Sequence, residues 1–213
     1  MKLNLSVDEV LSTTRAVRKR LDVTRPVPRT VLEECLELAL QAPNGANRNE
    51  WRWIIVDDPA LIARLAEEYR AAMGVLWDGQ RAGDPSVTAG VPHEDKLMES
   101  AFSLAEKLDQ VPAILIPLMP GRPDGKSVPE QAPMWGSIVQ AVWSFFLALR
   151  ERGLGSVWTT VASRREREIA ELLGLPFEDY TQVGLFPIAY TIGVDFRRAW
   201  RKPVSEVLTY NGF

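Results

Sequence analysis

The order of short apolar runs and helically periodic segments predicts an α+β or mixed α/β fold, in one domain spanning 1–213. Extended apolar runs at 51–56, 111–119, 157–161 and 182–190 are separated by segments whose apolar residues recur at i, i+3 and i+4. The chain has 213 residues, 46% of them apolar, enough to bury one core. No internal repeat and no linker composition interrupts it.

Ser6 followed by Glu9 has the spacing of a capping box. Val7, Val10, Leu11, Thr14, Val17 and Leu21 share one helical face, so a first helix is expected over 6–21. Arg15, Arg18, Lys19 and Arg20 then complement the negative end of its dipole. Arg15 and Arg18, three apart, would point the same way and clamp a phosphate or an anionic ring edge. After a turn at Pro26 and Pro28, apolar residues from Val31 to Leu40 predict a largely buried helix over 30–42. Cys35 is a core residue there. As the single cysteine it excludes an intrachain disulfide and a cysteine-rich metal site, and a reducing, cytoplasmic setting is expected.

Pro43 ends that helix. Asn44, Asn47 and Asn49 then follow in a loop pinned between helix and strand, which is how a fold presents a polar site; the same asparagines also suit an ordinary turn. A strand is expected at 51–56, a helix at 60–72, and a long aperiodic loop, lid or disordered, at 78–95. That loop holds His93, the only histidine, which leaves a histidine triad or a multi-histidine metal site without material.

A helix at 96–108, an interior strand at 111–119 and a loop at 120–133 come next. In the following helix Trp135, Ile138, Val139, Val142, Trp143, Phe145, Phe146 and Leu149 surround nearly the whole circumference. Such a helix must be covered on all sides, here in part by a second subunit. Its most apolar stretch, 141–149, is about half of the ~18 residues that span a bilayer, and no secretory signal opens the chain, so a soluble protein is expected. Gly153-Leu154-Gly155-Ser156 leads into a strand at 157–161, where Thr159 and Thr160 either face a ligand or simply suit a strand. A helix at 164–173 and a strand at 182–190 follow, with Pro187 marking an edge or bulge. The basic tail 195–203 reads either as solvated or as the second half of a phosphate site.

A net charge of −3 argues against a broad nucleic-acid surface, while basic clusters at 15–29 and 197–202 suit a small anion such as phosphate. Gly153-x-Gly155 follows a helix and enters a strand, the reverse of a dinucleotide fingerprint, and neither a phosphate loop nor a nucleophile elbow is present. Difficult chemistry is therefore expected from a bound cofactor.

Four segments in order, Thr14-Arg15-Ala16-Val17-Arg18, the loop from Ala42-Pro43-Asn44-Gly45 to Asn47-Arg48-Asn49-Glu50-Trp51, Gly153-Leu154-Gly155-Ser156-Val157-Trp158 and Arg201-Lys202-Pro203, resemble the FMN-dependent nitroreductase family. The likeness runs from about Val7 to the C-terminus. It implies a nitroreductase-like α+β fold with a central, mainly antiparallel sheet flanked by helices, in an intertwined homodimer with FMN between the subunits. Arg15, Ala16, Val17 and Arg18 would hold the phosphate, ribityl chain and pyrimidine edge, and Arg201, with Lys202 or Arg198, would complete the phosphate site. Pro43, Asn44, Gly45, Asn47 and Asn49 would reach the flavin of the other subunit, and Thr159, Thr160 and Val161 would lie near the isoalloxazine. The flavin carries the chemistry in such a protein, Arg18 stabilising its reduced form. NAD(P)H would be the donor and nitroaromatic, quinone or related electron-poor compounds the acceptors, by a ping-pong mechanism through one pocket. The chain has Asn44-Gly45 where the family commonly has Ser or Thr, Asn49-Glu50 where it has Gln-Pro, and Ala16 where it has Ser. These departures leave the substrate open. A flavin-cleaving or dehalogenating enzyme of the same fold and a flavin-storing or sequestering protein are the alternatives.

Overall fold

The computed structural model describes residues 2–81 and 94–213. Its frame is strand β3 (Ala113–Pro120), which pairs on one edge with β2 (Arg52–Val56). On the other edge β3 pairs with β6 (Phe186–Thr191) and then β5 (Tyr180–Gln182). Two more strands, β4 (Leu154–Ser156) and β1 (Leu21–Asp22), pair with β6. Ile188 faces both Ala113 and Ser156, and Tyr190 faces both Leu154 and Asp22, so β1 continues the line of β3 while β4 lies opposite. All five of these strand pairings are antiparallel, as the resemblance implies.

Side-chain alternation along β3 sends Ile114, Ile116 and Leu118 to one face and Ala113, Leu115 and Met119 to the other. The first face is covered by α3 (Pro59–Arg81), α4 (Glu94–Lys107) and α6 (Glu166–Leu173), through Leu65, Tyr69, Leu104 and Ile169. The second is covered by α2 (Arg29–Ala39) and α5 (Val128–Glu151), through Leu32, Cys35, Val142 and Phe145. Each fully buried large aliphatic side chain contributes about 1.5–3 kcal/mol. A sheet of such short strands is held mainly by this two-sided cover.

Several expected boundaries move, each for a tertiary reason. The first helix is only α1 (Val7–Thr13), although the Ser6–Glu9 capping box forms as the sequence predicts. The Thr13 and Thr14 hydroxyls donate back to the Glu9 and Val10 carbonyls, satisfying the helix end. Beyond it the Val17 N–H donates to the Ser156 carbonyl at 2.8 Å, in a parallel bridge between Ala16 and Ser156. The strand expected at 157–161 is instead β4, and 161–165 is a 3-10 turn.

The run at 182–190 is split into β5 and β6 around Gly184. A Cβ there would sit 2.7 Å from Trp158 Nε1, and its φ of 155° is one that side chains rarely adopt. Pro187 lies in interior β6 rather than on an edge, but between the Ser156–Ile188 pair and the Thr159–Leu185 bridge, a gap in the ladder where no N–H is required. Both long loops shrink. Helix α3 runs to Arg81 and α4 begins at Glu94; the lid reading of the remainder, with His93, lies outside the described residues. Helix α5 begins at Val128, because Ser127 and Glu130 form a second capping box and Pro129 sits in the first turn, where its missing N–H costs nothing.

Helix α5 is not covered all round. At 24 residues it is long and apolar enough to cross a membrane, yet Ile138, Val142, Phe145 and Leu149 are spent on the protein core. Trp143 on the opposite side remains 42% exposed.

An alanine Cβ at position 155 would lie 2.8 Å from methyls of Val17 and Thr191. Gly155→Ala is therefore expected to lower the unfolding free energy by about 1–3 kcal/mol in a urea titration. An unchanged midpoint would show that the segment around Val17 does not rest on β4. Cys35 is fully buried, and loss of solvent pushes its thiol up from 9.0 to about 11, with Arg152 opposing the shift. A raised folded pKa means that this contribution is complete below the unfolded value and is lost as pH climbs from 9.0 towards about 11. Cys35 should be inert to a thiol reagent at pH 8 in buffer and fully reactive in urea; equal rates in both would contradict its burial.

Candidate functional site

Four predicted segments fall into two regions. The first begins where α1 ends. Beyond Thr14 the chain leaves the helix and bends at Arg18, so helical spacing does not set Arg15 and Arg18 on one face. Arg15 is exposed and its Nη1 donates to the Arg197 carbonyl at 3.2 Å. Ala16 is exposed at its bridge to Ser156, and Val17 is buried in the core.

Arg18 is half-buried against α3. Its side chain has no hydrogen bond or ion pair among the described residues, and loss of solvent lowers its pKa, with Tyr69 opposing. Reciprocally, burial pushes the Tyr69 phenol up to about 12 while the Arg18 charge pulls it down. A desolvated guanidinium with no acceptor has donors to offer to an anionic or oxygen-rich partner.

The C-terminal segment meets this region. Arg20 Nε donates to the Ile192 carbonyl, and its Nη2 pairs with Asp195 at 2.7 Å. Past Arg197 the chain leaves the body. Arg198, Arg201 and Lys202 are exposed, and among the described residues the Arg201 guanidinium reaches only the Trp200 carbonyl next to it. Thr159 is buried and its hydroxyl donates to the Leu185 carbonyl, so that proton is committed within the fold. Thr160 is exposed, and Val161 packs at the edge of the core cluster that contains Tyr69.

The second region is the loop after α2. Its asparagines are bound largely to one another. Asn44 Nδ2 donates to Asn49 Oδ1 at 3.0 Å, the Asn49 N–H returns to Asn44 Oδ1, and Asn49 Nδ2 donates to the Asn47 carbonyl. The Asn47 side-chain NH2 keeps its donors free among the described residues. Ala46, Asn47 and Asn49 have φ near +53°, the left-handed region. For Ala46 that conformation costs about 1–2 kcal/mol, held by the loop's own hydrogen bonds and by the bond from the Gly45 N–H to Ser137 Oγ. Pro43 is exposed at the loop entrance.

Between this loop and the first half of α5 opens a cavity of about 670 Å³. Its floor is apolar, with Trp51, Met119, Met134 and Ile138, and its rim carries Arg48 and Lys126 beside Glu50 and Glu130. Arg48, Lys126, Glu130, Met134 and Ser137 were not singled out in the sequence. Nothing local marks them, since they meet only through the packing of the loop on α5.

Helix α5 measures the distance between the regions. Gly45 approaches Pro133 and Ser137, whereas Arg150 Nε donates to Thr13 Oγ1 and Glu151 accepts from the Asn4 and Leu5 N–H groups. At 1.5 Å per residue the two anchor points are roughly 20 Å apart. Within one chain, the loop and the Arg15–Arg18 segment stand at opposite ends of a rod.

A model of the Nitroreductase family matches residues 11–190. Iodotyrosine deiodinase of Thermotoga neapolitana is 28% identical over 181 residues, covering 84% of this chain and 86% of that one. Two solved structures superimpose on 98% of this chain and 100% of their own at 22% identity. One is an iodotyrosine deiodinase bound to FMN and 3-iodo-L-tyrosine, with TM-score 0.72; the other is the FMN and NADPH-dependent nitroreductase NfnB from sphigopyxis sp. strain HMH, with TM-score 0.71. At that identity the two structures share the fold.

Asn49→Ala removes three of the bonds that close the 44–49 turn. The expected loss of global stability is on the order of 1 kcal/mol, with much faster amide hydrogen exchange confined to 44–50. Unchanged exchange there would mean that the network does not hold the loop.

Proposed function

The chain belongs to the Nitroreductase family, and on that premise we propose that it is an FMN-dependent oxidoreductase. It passes two electrons from NAD(P)H to nitroaromatic, quinone or related electron-poor compounds, one reactant following the other through a shared pocket. The observation that carries this reading is Arg18, a half-buried cation without an acceptor among the described residues, on a segment that also bears Arg15. Such donors fit the oxygen-rich edge and phosphate of a flavin mononucleotide. When bound, FMN would supply the two-electron chemistry.

The residues here bind and orient. Arg15, with Arg201 and Lys202 from the tail, holds the phosphate; the backbone of Ala16 and Val17 lies along the ribityl chain. Arg18 meets the pyrimidine edge, where positive charge favours the reduced, anionic form. Thr159, Thr160 and Val161 back the isoalloxazine. Pro43, Asn44, Gly45, Asn47 and Asn49 contribute from a second copy of the chain, closing the pocket against water.

A second copy is needed because the two half-sites of one chain lie about 20 Å apart along α5. Ala132, Pro133, Gly136, Gln140 and Trp143 form an exposed stripe along that helix at helical spacing, with small residues at its N-terminal end. Two such stripes packed antiparallel about Gln140 would set Pro133 of one copy level with Leu147 of the other. The loop of one chain then stands within about 10 Å of the Arg15–Arg18 end of its partner. Exposed Val7 and Leu11 on α1, and Trp200, Val204, Val207 and Tyr210 on the tail, also lack cover in a single chain. Together these surfaces suit an interlocked homodimer.

Reductive dehalogenation is the second reading, favoured by the likeness to iodotyrosine deiodinase and by the mixed rim of Arg48, Lys126, Glu50 and Glu130, which suits a zwitterion.

The purified protein should be yellow, absorbing near ~450 nm as bound flavin does, and should sediment as a dimer. Anaerobic NADH or NADPH should bleach it, and a nitroaromatic or quinone should restore the colour; restoration by an iodotyrosine alone would favour the second reading. Arg18→Ala and Arg201→Ala should each weaken FMN retention about tenfold or more, as expected on losing a charge-assisted contact. Colourless, monomeric protein that ignores added FMN would overturn the proposal, and persistent colour after both nicotinamides would point to flavin storage.

A further inference from the structure

Arg18 opens a tight turn. The Leu21 N–H donates to the Arg18 carbonyl at 3.2 Å, and the flanking Val17 and Leu21 side chains are buried in the core, so the peptides of 18–21 stand between two packed anchors. One side of the turn is held by β6 and the chain that follows it. Leu21 pairs with Thr191, the Ile192 N–H donates to the Arg20 carbonyl at 2.8 Å, and the Arg20 side chain reaches the Ile192 carbonyl and Asp195.

The other side is held by α4. Lys19 pairs with Glu99 at 2.5 Å, but both side chains are exposed, and such a pair adds little. Lys107, further along the same helix, is different. It lies in the last turn of α4, where a cation ordinarily serves the carbonyls of its own helix. Its ammonium instead donates to the Lys19 carbonyl at 2.9 Å and, at the outer limit of a hydrogen bond, to the Leu21 carbonyl at 3.5 Å. Lys107 is half-buried, forms no ion pair among the described residues, and has its pKa lowered by loss of solvent. A lysine on so long a stem is free to turn its charge into water. Here it stays on the carbonyls of the turn that begins at Arg18.

The support from which Lys107 reaches does not depend on it. Leu104 and Leu108 are fully buried in the same cluster as Val17 and Leu21, so packing fixes this end of α4 and both ends of the turn. What Lys107 adds is the direction of the peptides between them. Arg18 depends on that direction, because its side chain has no hydrogen bond or ion pair of its own among the described residues.

We propose that Lys107 is a positioning residue for the flavin site: through the Lys19 and Leu21 carbonyls it fixes the turn that aims Arg18 at the pyrimidine edge. It acts through the backbone and Arg18, not on the cofactor itself. The inference rests on the assignment of Arg18 to FMN.

Lys107→Met keeps the apolar stem and removes the ammonium, so the full-length variant should fold with an unfolding midpoint close to the parent's. In cofactor-free protein, amide hydrogen exchange at Leu21 should become several-fold faster while exchange within α4 is unchanged. Titration with FMN should give a dissociation constant raised several-fold. At saturating FMN, the equilibrium constant for its two-electron reduction should fall several-fold, in the same direction as for Arg18→Ala and by less. Combined with Arg18→Ala, Lys107→Met should shift that equilibrium no further, which separates action through Arg18 from general loosening. Glu99→Gln, which breaks the exposed pair on the same helix, should change none of these quantities. Unchanged exchange at Leu21, faster exchange with unaltered FMN affinity and reduction, or an effect that persists in full beside Arg18→Ala overturns the inference. If Arg18→Ala by itself leaves FMN binding and reduction unaltered, the assignment of Arg18 to the flavin fails first and the role of Lys107 falls with it.

Discussion

The arrangement of this protein depends on the hydrogen bond from the Val17 N–H to the Ser156 carbonyl, and on the bare backbone of Gly155 that lets Val17 and Thr191 close over it. A short helix leads into that point and a strand pair leaves it. Without the bond, 14–21 has a helical pattern and enough charge at its C-terminal end to stay helical. With it, the chain leaves the helix, Val17 is buried in the core, and Arg15 is exposed beside the tail while Arg18 is half-buried against α3. A single tertiary contact decides which cations meet solvent, which meet α3 and which meet the tail.

The second constraint is mechanical. Helix α5 buries one face against the sheet and anchors a polar cluster near each end, so its length fixes the spacing of the two half-sites. The loop at its N-terminal half keeps three residues in left-handed conformations and uses its amides to hold itself there. A turn with a favourable backbone would need no such network. Strain paired with a supporting network is the pattern of a loop shaped to present atoms in a fixed direction, and the Asn47 side-chain donors have no partner among the described residues.

Much of the fold was legible because hydrophobic period survives tertiary packing. Helices α2, α4 and α6 and strands β2 and β3 lie close to where their patterns place them. The failures concern boundaries set by distant residues. Val157–Val161 has the composition of a strand, but the neighbouring Leu154–Ser156 pairs with β6 because Gly153 takes the left-handed turn before it and Gly155 permits the close approach of Val17 and Thr191. Ser127 and Glu130 repeat the capping signature of Ser6 and Glu9, yet the prolines at 129 and 133 made the segment read as a loop. Of the site, the residue types were legible and their directions were not. Lys107 carries no local mark, since it reads as the usual cation at a helix end and its acceptors are set only by what surrounds it in space.

Charge makes the same distinction more sharply. The sequence shows basic residues bunched between 15 and 29, and as a group they suggest an anion site. In three dimensions the bunch separates. Lys19 pairs with Glu99, Arg20 with Asp195 and Arg29 with Asp57, while Arg25 lies 3.4 Å from the centre of the Tyr190 ring. Such pairs at the surface add little to stability, but they remove these cations from the list of groups awaiting a ligand. Of that bunch Arg15 and Arg18 keep neither an acidic partner nor an aromatic ring among the described residues, and Arg150 of α5, likewise without an ion pair there, reaches the start of the same segment through Thr13. Isolated cations cost free energy where solvent is thin, and natural chains retain that cost where a binding partner repays it. The cations left unpaired by the fold are therefore a better guide to function here than the density of basic residues along the chain.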